Sequence, residues 1–258
     1  MDKLSNFSNT GNSVVTLDNF VSDTSGSDGV NDKFIVKRIK DGKLGILKYP
    51  INRFSKDHVM ECIVYDLAKL FGINCCTATL EIFNNKECVL SEFYKDGKFE
   101  SCRHLLGSNS VRDFNERFNM KFLENKIGPK AVDDFVRMVF LDLITMQVDR
   151  HISNFGFKDN RMYPLFDNGR CLFYDSPKEE IPRGDFNFAE YLVTNEHGYG
   201  FSYLDTLSEN YLNSIINLKV EKIAIEDVFA KWLPSDKELV KLLTNFVWRM
   251  FTSIIWWR

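Results

Sequence analysis

Between residues 130 and 148 the chain spells out a helix whose apolar stripe is Val132, Phe135, Val136, Val139, Phe140, Leu143 and Ile144. These positions recur at three- and four-residue spacing, the signature of a helix with one face in a core. The helix runs straight into a polar loop, Val148-Asp149-Arg150-His151-Ile152-Ser153-Asn154-Phe155-Gly156-Phe157. A short strand–turn–strand then leads to Pro164-Leu165-Phe166-Asp167-Asn168-Gly169. Apolar residues flank the loop on both sides, so its polar side chains are held by a buried framework instead of being strung along a free surface.

The rest of the chain divides by periodicity. Residues 1–32 are rich in Ser, Asn, Thr, Asp and Gly, with two apolar patches, Val14-Val15 and Phe20-Val21. The first ten residues are expected to fray. Short apolar runs at 34–39 and 44–49 around Asp41-Gly42-Lys43 read as a β-hairpin. From residue 55 or 56 to 71, Met60, Ile63, Val64, Leu67, Ala68 and Phe71 mark a helix, and Gly72 stands where a C-terminal cap belongs. Residues 77–83 and 87–93 read as a second strand pair around Asn84-Asn85-Lys86. Beyond that the chain is mainly helical, with helices expected over 110–124, 130–148, 203–218, 225–232 and 235–256. The fold class is α+β, a bilobal arrangement: an extension over 1–24, a small sheet-containing N-lobe over 25–95, and a larger, mainly helical C-lobe over 96–258. A thin connection at 92–97 joins the lobes.

A chain of 258 residues buries enough surface to need neither disulfides nor a structural metal. Its 33 basic and 36 acidic side chains leave a net charge of −3, which gives no electrostatic support to a nucleic-acid-coating role. The cysteines (Cys62, Cys75, Cys76, Cys88, Cys102, Cys171) show no C-x-x-C spacing, and no histidine lies at zinc-finger distance from them. They read as small buried hydrophobes of a reducing compartment. Phe140 to Val148 is the most apolar stretch, and Asp142 and Gln147 interrupt it, so no membrane span is expected. Without a visible secretory signal, the expected location is the cytoplasm.

The loop carries the chemistry. Asp149 precedes Asn154 by five residues, and Asp167 follows thirteen later. Phosphoryl transfer from ATP requires a carboxylate to orient the attacking hydroxyl and accept its proton, and oxygen ligands for Mg²⁺. In protein kinases a catalytic Asp and a metal-binding Asn stand five apart, and a second metal-binding Asp arrives on a later turn. Asp149, Asn154 and Asp167 fit those roles in order. Alone, such Asp and Asn residues are ordinary turn formers; the apolar helix before them and the strand-rich segment upstream give the pattern its weight.

The strings DRHISNFGF and PLFDNG resemble the catalytic and metal-binding segments of HipA-like serine/threonine protein kinases, in particular the short CtkA-like type. SGSDG, GILKYP and the helix MECIVYDLAKLFGI are similar as well, so the resemblance covers residues 25–175. It implies ATP and Mg²⁺ as cofactors, with Asp149 as catalytic base and Asn154 and Asp167 as metal ligands. It implies that Lys48 contacts the α/β-phosphates, that Glu61 pairs with Lys48, and that Ser27 and Gly29, within Ser25-Gly26-Ser27-Asp28-Gly29, belong to the loop over the phosphates. Read from the residues alone, Lys48 is an edge lysine and Glu61 a surface charge. Asp28 departs from what a phosphate loop needs, because a carboxylate there repels the triphosphate. Arg150 and His151 are expected to shape the loop, and adenine to lie along residues 90–93.

The implied function is transfer of the γ-phosphate to Ser or Thr of a protein, with Ser25 or Ser27 as an autophosphorylation site that would oppose ATP binding. The implied partners are a protein substrate and a separate antitoxin-like chain. Two alternatives stay open: a lipid or small-molecule kinase, since D-R-H-x-x-N also occurs in phosphatidylinositol kinases, and a nucleotide-binding pseudokinase. The tryptophans Trp232, Trp248, Trp256 and Trp257 read as core or tail packing, and the apolar end 254–258 as a docking patch if it is not buried.

Overall fold

The computed structural model describes residues 6–8, 14–16, 33–38, 44–83, 85–92, 100–107, 119–187, 191 and 219–256. Its first sheet is antiparallel with order β1-β2-β3-β4-β6-β5, built from β1 (Asn6–Ser8), β2 (Val14–Thr16), β3 (Lys33–Arg38), β4 (Leu44–Lys48), β5 (Ala78–Phe83) and β6 (Lys86–Glu92). The expected hairpins are present: Phe34 faces Leu47 across β3–β4, and Phe83 faces Lys86 across β5–β6, where Asn85 takes φ +59°. Residues 6–8, within the stretch expected to fray, form a strand: they pair with β2, Phe7 opposite Val15, and β2 in turn pairs with β3. Strand pairing supplies the backbone partners that a free terminus would lack.

Helix α1 (Asp57–Leu70) crosses between β4 and β5. It ends in a Schellman motif: the Gly72 N–H donates to Lys69 O, the Ile73 N–H donates to Ala68 O, and Gly72 takes φ +66°. β4 and β6 approach closely at Gly45, where a Cβ would stand 2.6 Å from Leu90 Cδ1 and 3.0 Å from Ser91 O.

The second sheet is small, with order β7-β8-β9 from β7 (Glu100–Ser101), β8 (Gly156–Lys158) and β9 (Arg161–Met162). Asp159 and Asn160 turn β8 into β9 with φ +50° and +61°, as a two-residue type I′ hairpin requires. Around it lie α2 (Cys102–Leu106), α3 (Met120–Lys126), α4 (Pro129–Ile144), α5 (Lys222–Trp232) and α6 (Lys237–Trp256). Of the helix expected over 110–124, the described residues show only α3; the one expected over 203–218 and the Asp41-Gly42-Lys43 turn lie outside them.

Helix α4 stops four residues short of the expected Val148. The Met146 N–H donates to Leu143 O and the Gln147 N–H to Asp142 O, with Met146 at φ +50°. This is a second Schellman stop, made without glycine, so the sequence carries no flag for it. It frees Gln147 to Arg150 from helical geometry and starts the polar loop. The core is aromatic: Phe71 packs on Phe140 of α4 and Phe251 of α6, and Phe135 packs on Phe155. Trp232 and Trp248 pack against this core and Ile254 is buried, so the described part of the C-terminal end is no open patch. No helix among the described residues is long and apolar enough to cross a membrane.

Candidate functional site

Strand β4 is central in its sheet, so its last residue, Lys48, points its ammonium into the protein; it is 5% exposed. A lone buried ammonium would lose its proton or drag in water. Lys48 is not alone: Glu61 on the second turn of α1 meets it with both carboxylate oxygens, at 3.0 and 2.9 Å. Asp167 Oδ1 adds a third contact at 3.0 Å. Burial by itself would lower the Lys48 pKa; Asp167 and Glu61 more than reverse this and hold it above its ordinary value. Residues 48, 61 and 167, far apart in sequence, thus converge on one nitrogen.

Asp167 sits on the turn Phe166-Asp167-Asn168-Gly169 at φ +57°, in the left-handed region that Asp tolerates better than most residues. Gly169 is obligatory here: a Cβ would stand 2.6 Å from the Asp57 carbonyl at the start of α1. The turn is therefore seated against the helix that carries Glu61. The stretch before it is fixed as well, since Leu165 N–H donates to Asn74 O and Cys76 N–H donates to Leu165 O.

The polar loop is organised by one buried guanidinium. Arg150, 1% exposed, donates from Nε and Nη2 to both oxygens of Asp142 at 3.0 Å each, from Nη1 to Asn154 O at 3.1 Å and Phe166 O at 3.0 Å, and from Nη2 to Asn168 Oδ1 at 2.6 Å. A single nitrogen bonded to the carbonyls of residues 154 and 166 brings Asn154 beside Asp167. Burial pushes the Asp142 carboxyl up, and Arg150 pulls it back. The Asp149 N–H donates to Gln147 Oε1 at 2.9 Å, and Asn154 Nδ2 donates to Asp149 O at 3.0 Å. Asp149 itself is half-buried, with Arg170 Nη1 at 3.7 Å from its Oδ1. His151 Nδ1 accepts the Ser153 N–H at 3.2 Å, an internal bond of the loop.

Asn154 and Asp167 carry an amide oxygen and a carboxylate, on two segments whose backbones Arg150 Nη1 ties together. That donor set suits Mg²⁺, a hard cation that takes one or two protein oxygens and completes its shell with phosphates and water. Among the described residues no cluster of three or more His, Cys, Asp or Glu side chains forms a self-sufficient metal cage. Ser27 and Gly29, with Ser25 and Asp28, lie outside the described residues, as does Phe93; Leu90, Ser91 and Glu92 are buried on β6 beside β4. Asp142, Gln147, Asn168 and Arg170, which contact the candidate site residues or Arg150, are ones that sequence reasoning missed. Asp142 and Gln147 had left a trace, as polar interruptions of the apolar run.

A sheet and helix carrying a Lys–Glu pair, set over a helical body that supplies Asp149, Asn154 and Asp167, is the α+β kinase fold. The chain superimposes on the Helicobacter pylori proinflammatory kinase CtkA with a TM-score of 0.59 and 12% identity, covering 87% of this chain and 89% of that one. It matches HipA of Shewanella oneidensis MR-1, solved with HipB and operator DNA, with a TM-score of 0.53 and 15% identity over 88% of this chain, and spans 64% of the HipA chain. No protein-family model and no curated protein sequence matches it.

Proposed function

We propose that this chain is an ATP- and Mg²⁺-dependent protein kinase of the HipA/CtkA kind, transferring the γ-phosphate to a Ser or Thr hydroxyl of a protein substrate. The observation that carries the reading is the convergence of Glu61 and Asp167 on buried Lys48. Pairing of a strand lysine with a helix glutamate, next to the metal-binding Asp, is what kinases must assemble before phosphates can be held. Lys48 neutralises α/β-phosphate charge, and Glu61 fixes its ammonium. Asn154 and Asp167 would hold Mg²⁺, which when bound shields the phosphate oxygens and orients the γ-group. Asp149 accepts the proton of the substrate hydroxyl as its oxygen bonds to the γ-phosphorus, and the bond from phosphorus to the β,γ-bridging oxygen breaks to release ADP. Arg150 and Gln147 keep Asp149 and Asn154 in place. Ser27 and Gly29 complete the reading as the loop over the phosphates, with Ser25 or Ser27 as an autophosphorylation site. The HipA neighbour was solved with HipB, which supports a separate antitoxin-like partner for this chain too.

The test is transfer of radiolabelled γ-phosphate from Mg-ATP to the chain itself and to a basic protein acceptor, comparing wild type with Asp149→Ala and Asp167→Asn. Label lost in both variants supports the reading. Wild-type protein that binds ATP but labels no protein overturns it in favour of a lipid or small-molecule kinase or a pseudokinase.

A further inference from the structure

Glu61 can reach Lys48 only while α1 lies in its present orientation, and much of what holds α1 there comes from the far end of the chain. Trp232, the last residue of α5, packs with Tyr65 and Leu80 against the buried cluster of Cys62 on α1, Ala78 on β5 and Val89 on β6. Its indole Nε1 donates to Asp66 Oδ2 at 2.7 Å, and Lys231 Nζ reaches the same oxygen at 2.6 Å. Lys231 Nζ also lies 4.4 Å from the Trp232 ring centroid, so cation, ring and carboxylate form one unit. At the end of α1, Phe71 packs against Phe251 of α6. Glu61 and Asp66 are five positions apart, about 140° around a helix of 3.6 residues per turn. The first therefore leaves α1 toward Lys48 and the second toward α5.

We infer that Asp66 and Trp232 are positioning residues for the Lys48–Glu61 pair, through which the C-terminal helix α5, with α6 adding the Phe71–Phe251 contact, clamps α1 in the orientation that brings Glu61 to Lys48. The active arrangement of α1 is then built in cis, with no activator protein and no modification required to rotate the helix. The inference deepens the kinase reading and rests on it for the role of the Lys48–Glu61 pair. It assigns to the α5 tryptophan more than core filling: its indole N–H and its fit between helix and sheet set the rotation of α1.

The experiment uses the full chain with Trp232→Phe, which keeps an aromatic ring and loses the donor, and Asp66→Ala, each made in wild type and in Glu61→Gln. Affinity for a fluorescent ATP analogue, kcat and KM for ATP, and amide hydrogen exchange of residues 57–70 are measured together. In the wild-type background each substitution is expected to weaken nucleotide affinity or kcat/KM by about tenfold, and to speed exchange in α1. In Glu61→Gln the same substitutions should add little, because the interaction they support is already gone. An equal loss in both backgrounds, or unchanged exchange in α1, overturns the clamp. If wild type binds no nucleotide, the kinase reading fails on its own, and exchange still decides whether Trp232 and Asp66 hold α1. Should Trp232→Phe fold poorly, Asp66→Ala carries the comparison.

Discussion

Lys48 shows how one side chain is made competent by its surroundings. Buried without partners it would tend toward neutrality; with Glu61 and Asp167 at about hydrogen-bond distance it stays an ammonium. Because its pKa in the folded protein lies above the ordinary lysine value, the pair's stabilisation is fully present below that ordinary value. It is lost only as pH climbs through the raised one. Glu61→Gln is therefore expected to lower the melting temperature by the same amount at pH 6 and pH 9, the difference from wild type shrinking only above about pH 10.4. The same substitution should reduce phosphoryl transfer by about 100-fold, since a poorly fixed ammonium stabilises developing charge poorly. Thermal unfolding across pH and steady-state kinetics check both. A difference that grew with pH between 6 and 9 would point to another titrating group as the source. None of this pairing was legible from Lys48 or Glu61 singly: nothing local marks a strand lysine or a helix glutamate as buried, and 119 residues separate Lys48 from Asp167.

At the scale of elements, the polar loop depends on where α4 stops and on what Arg150 grips. The D-x-x-x-x-N spacing was legible because it is local, and so was α1, whose apolar stripe and Gly72 stop agree. The end of α4 was not, because Met146 occupies the left-handed position that sequence reading assigns to glycine. Asp142 and Gln147 were visible only as blemishes in an apolar run; the structure turns them into the partners of Arg150 and of the Asp149 N–H. Arg150 joins α4, the loop and the Phe166-Asp167-Asn168 turn through a fork that lysine cannot reproduce. Arg150→Ala leaves the Asp142 carboxylate buried and unpaired, a change that costs about 3–5 kcal/mol. For a chain of this size the expected fall in melting temperature is about 10 °C. Arg150→Lys should recover charge but not geometry, so activity should stay low even where stability returns in part. Calorimetry beside label transfer separates the two effects; full activity in Arg150→Lys would show that the fork is dispensable.

Among the described residues, α1 of the sheet-bearing part shares one apolar core with the helical part, polar contacts add to it, and the proposed nucleotide site lies beside them. Lys48 bonds Asp167, the Lys56 N–H donates to Tyr174 O, the 74–76 segment pairs with Leu165, and Trp232 reaches Asp66. A ligand gripped by Lys48 on one side and Asn154 and Asp167 on the other would add a further tie, binding the folded chain and not the unfolded one. At a concentration 100 times its dissociation constant such a ligand stabilises by about 2.7 kcal/mol. For a chain of this length that is a rise in melting temperature of about 5–10 °C. Mg-ATP is expected to produce this rise in wild type, ATP with excess chelator a smaller one, and Asp167→Asn should erase the difference between the two. Because Asp167 contacts Lys48 as well as the expected metal position, Asp167→Asn should also lower the baseline melting temperature without ligand. The sequence reading reached the two-part architecture and singled out Asp149, Asn154 and Asp167 as candidates, but not these ties, which join residues that no local pattern relates. A thermal shift that is equal with and without Mg²⁺ in wild type would remove Asn154 and Asp167 as metal ligands, while leaving Lys48 as the anchor of the triphosphate.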